Sequence, residues 1–456
     1  MTDTWTLDSH RLSPDALARQ QARRLIRLIA DNRAANSFYR DRLPDTDPPE
    51  DPQAAWRWLE TLPFTTKTDL ISDQQAYPPF GRNRSEPLHR YVRYSQTSAT
   101  TGTPLRWLDT ARDWARMGLA WQHIFHMAGV AAGDRVFFAF SFGPFLGFWT
   151  AFDAAANLGA LAIPGGGLSS QGRLRTIVDT GTTVLCCTPT YAIRLGEAAA
   201  EAGIDPGKLP VRAIVVAGEP GGSIPAVYSH IETLWPGARV YDHHGMTEVG
   251  PVSYECPAER GRLHVMESAF WPEVVTPDGG KRLDVPGTGE LVLTTLGRSG
   301  SPLLRYRTGD LVEVPAPPTP DRIAGCACGS VELTLLGGIL GRADDMVSVR
   351  GVNIYPGAIE RLVRGHGGVA EYRVEIWRER GMSEMRLLIE PLAEVGDVMG
   401  LVERLSQEVR GRLSLRVPVV AVGEGTLPRF EMKARRWVRL EAPPEGEGGE
   451  GGKVGG

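Results

Sequence analysis

Between Tyr94 and Pro104 the chain reads Ser95-Gln-Thr-Ser-Ala-Thr-Thr-Gly-Thr-Pro104, a run of small hydroxylated residues closing on Gly102 and Pro104. Such a loop offers hydroxyls and closely spaced backbone N–H groups, the donors that a polyphosphate oxyanion requires. The G-x-x-x-x-G-K-[ST] spacing of a Walker A loop is absent, and taken alone the run reads equally well as a Ser/Thr-rich surface turn. A second set of residues offers metal chemistry. Cys256, His264, Cys326 and Cys328 supply three thiols and one imidazole, the donor set of a closed, structural Cys₃His zinc site. The alternative is reduced cysteines without a metal. A third stretch, Tyr306-Arg-Thr-Gly-Asp310, sets Asp310 in a turn with Arg305 and Arg307 close by in sequence.

These residues need elements to hold them. Apolar positions on both sides of the hydroxylated run (Val92 and Tyr94 before, Leu105 to Leu108 after) predict two strands, so the run is the loop of a hairpin. Residues 14–43 carry apolar positions at helical period. Residues 48–63 read as a Pro-bounded connector, Thr65 to Leu70 as a helix cap, and 109–128 as a helix. From Arg135 to Tyr241 short β-rich strands alternate with glycine-rich turns and helices, which predicts a largely parallel sheet flanked by helices. Ligands bind beyond the carboxyl ends of such strands, so Gly218-Glu219 and Gly245 to Glu248 are expected to face one crevice with the hydroxylated loop. Cys186 and Cys187 lie inside an apolar strand and read as small hydrophobes. Strand-rich sequence follows to about residue 311, with a Pro-rich loop at 315–320. Beyond Asp344 the texture is that of a small α+β unit, with helices 357–364 and 397–412 and strands 370–377, 385–390 and 415–421. The Gly/Glu-rich tail after Pro443 reads as disordered.

Composition narrows the class. With 456 residues, 42% of them hydrophobic, the chain is long enough for two or three domains. A formal charge of −4 gives no reason to expect nucleic acid or an acidic membrane as partner. The first residues lack a basic and apolar leader, and no apolar run is long enough to span a bilayer, so a cytoplasmic enzyme is expected.

Five stretches in one order carry a resemblance: Thr97 to Pro104, His244-Gly-Met-Thr-Glu248, Tyr306 to Asp310, Gly341-Arg-Ala-Asp-Asp-Met-Val-Ser-Val-Arg-Gly-Val-Asn-Ile-Tyr-Pro356, and Leu427-Pro-Arg-Phe-Glu-Met-Lys433. Over roughly residues 15–440 the chain resembles the adenylate-forming superfamily, and within it the phenylacetate–CoA ligase branch. The resemblance implies an α/β fold. A large N-terminal domain (1–343) would combine mostly parallel sheets flanked by helices with a β-rich subdomain. A small mobile α+β domain (344–442) would follow, then the tail (443–456).

It also implies roles. Ser98, Thr100, Thr101 and Gly102 would grip the ATP phosphates. Thr247 would contact the α-phosphate, and Glu248 would hold Mg²⁺. His244, Gly245 and Met246 would border the nucleotide, Asp310 would take the ribose hydroxyls, and Arg342 would lie near the same sugar. Gly218 and Glu219 would line the adenine and acyl pockets. Asp344 would be the hinge, and Lys433 would stabilise charge between the carboxylate and the α-phosphate. Members of this branch carry zinc at the matching cysteine positions, where it would staple the 256–264 loop to the 326–328 loop.

The chain departs from the family pattern at Ala99 (usually Gly), Thr103 (usually Lys) and His244 (usually Tyr). Phe142, Gly143, Phe145 and Ala217 would form a flat apolar acyl pocket suited to an aryl or arylacetic acid. The implied activity uses ATP, Mg²⁺ and CoA to convert a carboxylic acid to an acyl-adenylate and then a thioester, in a monomer or homodimer. Two alternatives stay open: transfer to a carrier-protein thiol or an amine, and a non-catalytic nucleotide- or acyl-binding protein.

Overall fold

The computed structural model describes residues 12–97, 103–277, 280–316, 326–343, 345–350, 352–379, 382–413, 415–430 and 434–444. The chain divides into two compact units, Met1–Ala343 and Asp344–Gly456. The tail expected to be disordered lies outside the described residues from 445 onward.

The first unit opens with helices α1 (Pro14–Ala35) and α2 (Ser37–Arg40), which bury Leu25, Ile29, Phe38 and Tyr39. Helix α3 (Pro52–Glu60) occupies the stretch expected to be an irregular connector. Asp51 caps it by accepting from Ala54 N, Pro52 stands at its first turn, and Ala55, Trp56 and Leu59 bury one face. Pro52 suits a helix start, because the first turn has no use for its missing N–H. Helix α4 (Lys67–Ala76) begins at Thr66 with a capping box to Asp69.

Strands β1 (Tyr91–Gln96) and β2 (Arg106–Thr110) pair antiparallel, with Ser95 opposite Trp107 and Gln96 opposite Arg106. They are the two arms of the hydroxylated loop. Helix α5 (Ala111–Met127) follows at once, capped by Thr110 and Asp113, and buries Met117, Trp121, Ile124 and Phe125.

Strands β3 (Arg135–Phe138), β4 (Leu161–Pro164), β5 (Val184–Cys187), β6 (Ala213–Val216) and β7 (Arg239–Asp242) form one parallel sheet in the order β4-β3-β5-β6-β7. Strands β5 and β6 are buried throughout, as apolar strands covered on both faces are. Cys186 and Cys187 are 0% exposed within β5, where burial pushes both thiols up and leaves them as packing residues. Parallel strands place their carboxyl ends along one edge, so the residues after β3, β5, β6 and β7 border a common crevice.

After β7 the chain enters a six-stranded antiparallel sheet. Its order is Ser253–Glu255, Arg262–Val265, Thr334–Arg342, Tyr306–Val314, Gly287–Thr295, Phe270–Val275. The second unit is a four-stranded sheet with two helices, Pro356–His366 and Val398–Leu413, around a core that includes Ile359, Leu387, Ile389 and Leu405. Among the described residues no helix is long and apolar enough to cross a membrane.

Candidate active site

The polar groups converge where β7 meets the antiparallel sheet. His243, just past β7, is buried, with Nδ1 2.7 Å from the Ser253 carbonyl and its ring 4.4 Å from that of Trp121. Burial opposes its charged form and drops its pKa to about 3, so this imidazole is neutral. The backbone of His244 is fixed: its N–H donates to Ser253 Oγ, and its carbonyl accepts from Val252 N.

The His244 side chain reaches across to Asp310, with Nε2 2.9 Å from Oδ2. The other Asp310 oxygen accepts from Arg342 Nη1 at 3.1 Å. Arg342 is the register partner of Asp310 on the neighbouring strand, which is why a residue 32 positions away meets it. Gly309, at φ +76°, allows this approach, since a Cβ there would sit 2.6 Å from Arg342 Nη2. Burial alone would raise the Asp310 pKa, but His244 and Arg342 together outweigh it and hold the carboxyl below its ordinary value. His244 Nδ1 is buried without a hydrogen-bond partner among the described residues.

Arg305 and Arg307, close to Asp310 in sequence, do not pair with it. Arg305 pairs with buried Glu273, and Arg307 pairs with Glu290. The strand 306–314 has a neighbour on each side, and Arg305 and Arg307 turn toward carboxylates on the 270–295 side, away from Arg342.

Glu248 is 3% exposed and accepts from the Tyr306 hydroxyl at 2.8 Å, which ties the His244–Glu248 turn to the Tyr306–Asp310 strand. Its donor is a neutral phenol, and among the described residues it enters no ion pair, so a cation would suit it. Gly245 is exposed, and Met246 and Thr247 are half-buried at the same turn. Beyond β6, Ala217 is half-buried and Gly218 exposed, while Glu219 Oε1 accepts from Thr190 N and so caps the helix Pro189–Glu201. Val216 and Asp242 are register partners, so the two strand ends lie side by side. Ser98, Thr100, Thr101, Gly102, Asp344 and Lys433 lie outside the described residues. The flanks of Lys433 are moored on buried carboxylates: Leu427 N and Arg429 bond to Glu390, and Arg436 to Glu371.

An aromatic cluster continues from the same edge. Trp121 meets Phe148 at 5.5 Å, Phe148 meets Phe140 at 5.2 Å, and Phe140 contacts both Phe142 and Phe145 edge to face. Gly143 lies against the Phe145 ring.

The cysteine cluster stands at one edge of the antiparallel sheet. Strand 262–265 carries His264, Cys256 follows the strand Ser253–Glu255, and Cys326 and Cys328 precede the strand Thr334–Arg342. The four ligand atoms lie within 4.8 Å of one another, with Cys256 Sγ 3.3 Å from Cys326 Sγ and Cys328 Sγ 3.4 Å from His264 Nε2. Zinc–ligand bonds of about 2.0–2.3 Å in a tetrahedron put ligand atoms about 3.5–3.8 Å apart, so the donor set fits. Burial pushes the Cys256 thiol up, but the His264 ring and nearby N–H groups pull it down to about 6. Burial lowers His264, and its sulfur partners raise it to about 10.

Sequence reasoning missed the partnerships of His244 with Asp310, Tyr306 with Glu248, and Arg298 with Asp109. The last joins residues 189 apart, and nothing in local spacing signals it.

Fold and site together define an adenylate-forming acid–CoA ligase. Residues 351–439 match the AMP-binding enzyme C-terminal domain. The chain is 31% identical to phenylacetate-coenzyme A ligase of Thermus thermophilus over 94% of this chain and 98% of that protein. It is 29% identical to the phenylacetate-coenzyme A ligase of Pseudomonas putida over 92% and 94%. A solved structure of 2-hydroxyisobutyryl-CoA ligase in the postadenylation state, in complex with R3-HIB-AMP, superposes with a TM-score of 0.82 at 28% identity, covering 92% of this chain and 89% of that one. The chain belongs to the phenylacetate-coenzyme A ligase family.

Proposed function

We propose that the protein converts an apolar aryl or arylacetic acid to its CoA thioester through an acyl-adenylate. The acid's carboxylate oxygen attacks the α-phosphorus of ATP, pyrophosphate leaves, and the CoA thiol then attacks the acyl carbon and releases AMP. Asp310, fixed by His244 and Arg342, accepts the ribose hydroxyls: each carboxylate oxygen has one lone pair engaged and one left to offer. Thr247 addresses the α-phosphate. Glu248 holds Mg²⁺, which neutralises phosphate charge. Ser98, Thr100, Thr101 and Gly102 hold the outer phosphates, and Lys433 stabilises charge at the reacting oxygens. Gly218 and Glu219 border the nucleotide and acyl pockets, and Asp344 is the hinge on which the second unit turns. Zinc held by Cys256, His264, Cys326 and Cys328 would be structural, since these four side chains would leave no position open for water.

The observation that carries the aromatic preference is the ring cluster running from Trp121 through Phe148 and Phe140 to Phe142 and Phe145. Flat rings packed edge to face make slots that accept another ring. Incubation with ATP, Mg²⁺, CoA and a panel of aromatic and short aliphatic acids tests the reading by mass spectrometry. Acyl-CoA from aromatic acids is the expected product. Preference for short aliphatic acids would contradict the pocket assignment, and acyl-AMP accumulating in the presence of CoA would point to a carrier-protein thiol or an amine as acceptor.

A further inference from the structure

Arg298 and Asp109 are among the most buried charges in the chain, 3% and 0% exposed at their side chains. The guanidinium donates through Nε to Asp109 Oδ1 at 2.6 Å and through Nη2 to Oδ2 at 2.7 Å. Its remaining nitrogen, Nη1, donates to the Thr247 carbonyl at 2.7 Å, and its carbon lies 5.3 Å from the Trp107 ring centre. Asp109 sits near the end of β2, the strand that leaves the hydroxylated loop. One side chain therefore joins that hairpin to the turn carrying Thr247 and Glu248.

The surrounding segment is built to hold Arg298 still. Ser299 N and Gly300 N donate to the two oxygens of Asp113, Arg116 Nη1 donates to the Gly297 carbonyl, and Ser301 Oγ donates to the Leu108 carbonyl. Only glycine permits the approach at residue 300, because a Cβ there would lie 2.4 Å from Asp113 Oδ2.

A buried ion pair is a poor way to stabilise a fold. Desolvating both ions offsets most of their attraction, and apolar replacements of similar volume are often neutral or stabilising. What such a pair supplies is direction. The two-pronged bond to Asp109 fixes the guanidinium plane, so the third N–H has one place to point. That place is the backbone of Thr247.

We propose that the Arg298–Asp109 pair is a positioning element for adenylation, setting the Thr247 turn at a fixed distance from the strand that leaves the phosphate loop. Neither residue touches substrate; they act through Thr247 and β2. The inference rests on the acid-activation reading above. It requires the pair to matter most when the intact triphosphate must be aligned with the attacking carboxylate, and less when a preformed acyl-adenylate is passed to CoA.

The test uses the full chain, with three readouts: acid-dependent exchange of labelled pyrophosphate into ATP, CoA capture of supplied acyl-adenylate, and the thermal midpoint. In Arg298→Met, exchange should fall about 100-fold, the loss expected from a misplacement near 1 Å. CoA capture should stay near wild type, and the midpoint should drop because Asp109 is left buried and unpaired. In the double variant Asp109→Leu with Arg298→Met the midpoint should recover while exchange stays low. Arg298→Lys, which keeps the charge but loses the fork, should fold normally with exchange down about tenfold, equivalent to one lost hydrogen bond of about 1.4 kcal/mol. Exchange recovering in step with stability in the double variant would overturn the proposal, as would full exchange in Arg298→Lys. Wild-type protein without acid-dependent exchange would overturn the acid-activation reading and this proposal with it, a failure visible before any substitution is made.

Discussion

The Asp310 cluster and the cysteine cluster stand on the same antiparallel sheet and are built on opposite principles. At Asp310, opposite charges satisfy one another: the carboxylate takes one bond from His244 and one from Arg342, so the arrangement is stable before any ligand arrives. At the cysteines, three thiols and one imidazole crowd within 4.8 Å, with no arginine paired to them among the described residues to match the Arg342 of the first site. In the proposed reading the first site receives a substrate that comes and goes. The second we propose as a joint that a resident ion would complete, its donors binding as thiolates and a neutral imidazole.

The comparison breaks most easily at the cysteines. Cys328→Ser, or strong chelation of the parent, should release one zinc per chain and lower the thermal midpoint by roughly 5–10 °C. Metal analysis finding no zinc in the parent would remove this half of the comparison. A smaller and different effect is expected at Asp310. Asp310→Asn should raise KM for ATP about 10–100-fold, the loss of charge-assisted hydrogen bonds, and should lower the midpoint near neutral pH, where the ionised carboxylate contributes its full stabilisation.

The same residue leaves a mark on the acid side. Because Asp310 ionises more readily in the fold than in the unfolded chain, its stabilising contribution is present above the ordinary Asp value of about 3.9 and fades as pH falls through the lower folded value. Asp310→Asn should therefore flatten the loss of stability below about pH 4. An unchanged acid profile would mean that His244 and Arg342 do not hold the carboxylate in solution.

How much of this was legible in the residues follows from the range of the interactions. The hairpin around the hydroxylated loop, the parallel strands and the helix cap at Thr66 depend on neighbours a few positions away, and sequence pattern reports them. Helix α3 falls inside the stretch 48–63 that its bounding prolines mark as a connector, although Asp51 and Pro52 together make a helix start. The partners of Asp310 are half legible. Arg342 was placed near it through the resemblance, but Arg305 and Arg307 were drawn in by mere adjacency, and strand register sends them to Glu273 and Glu290. The Arg298–Asp109 pair leaves no trace in local pattern, since it exists only once β2 and the 297–301 segment are folded together.

The most direct measurement follows an oxygen atom. The protein is given ATP, Mg²⁺, CoA and an aromatic acid whose carboxylate carries oxygen-18, and the AMP released is weighed by mass spectrometry. An acyl-adenylate route puts one carboxylate oxygen on the α-phosphorus, and cleavage of the acyl C–O bond by the thiol leaves it there, so AMP should carry one heavy oxygen per acyl-CoA formed. Unlabelled AMP, or ADP with the label in free phosphate, would contradict the account.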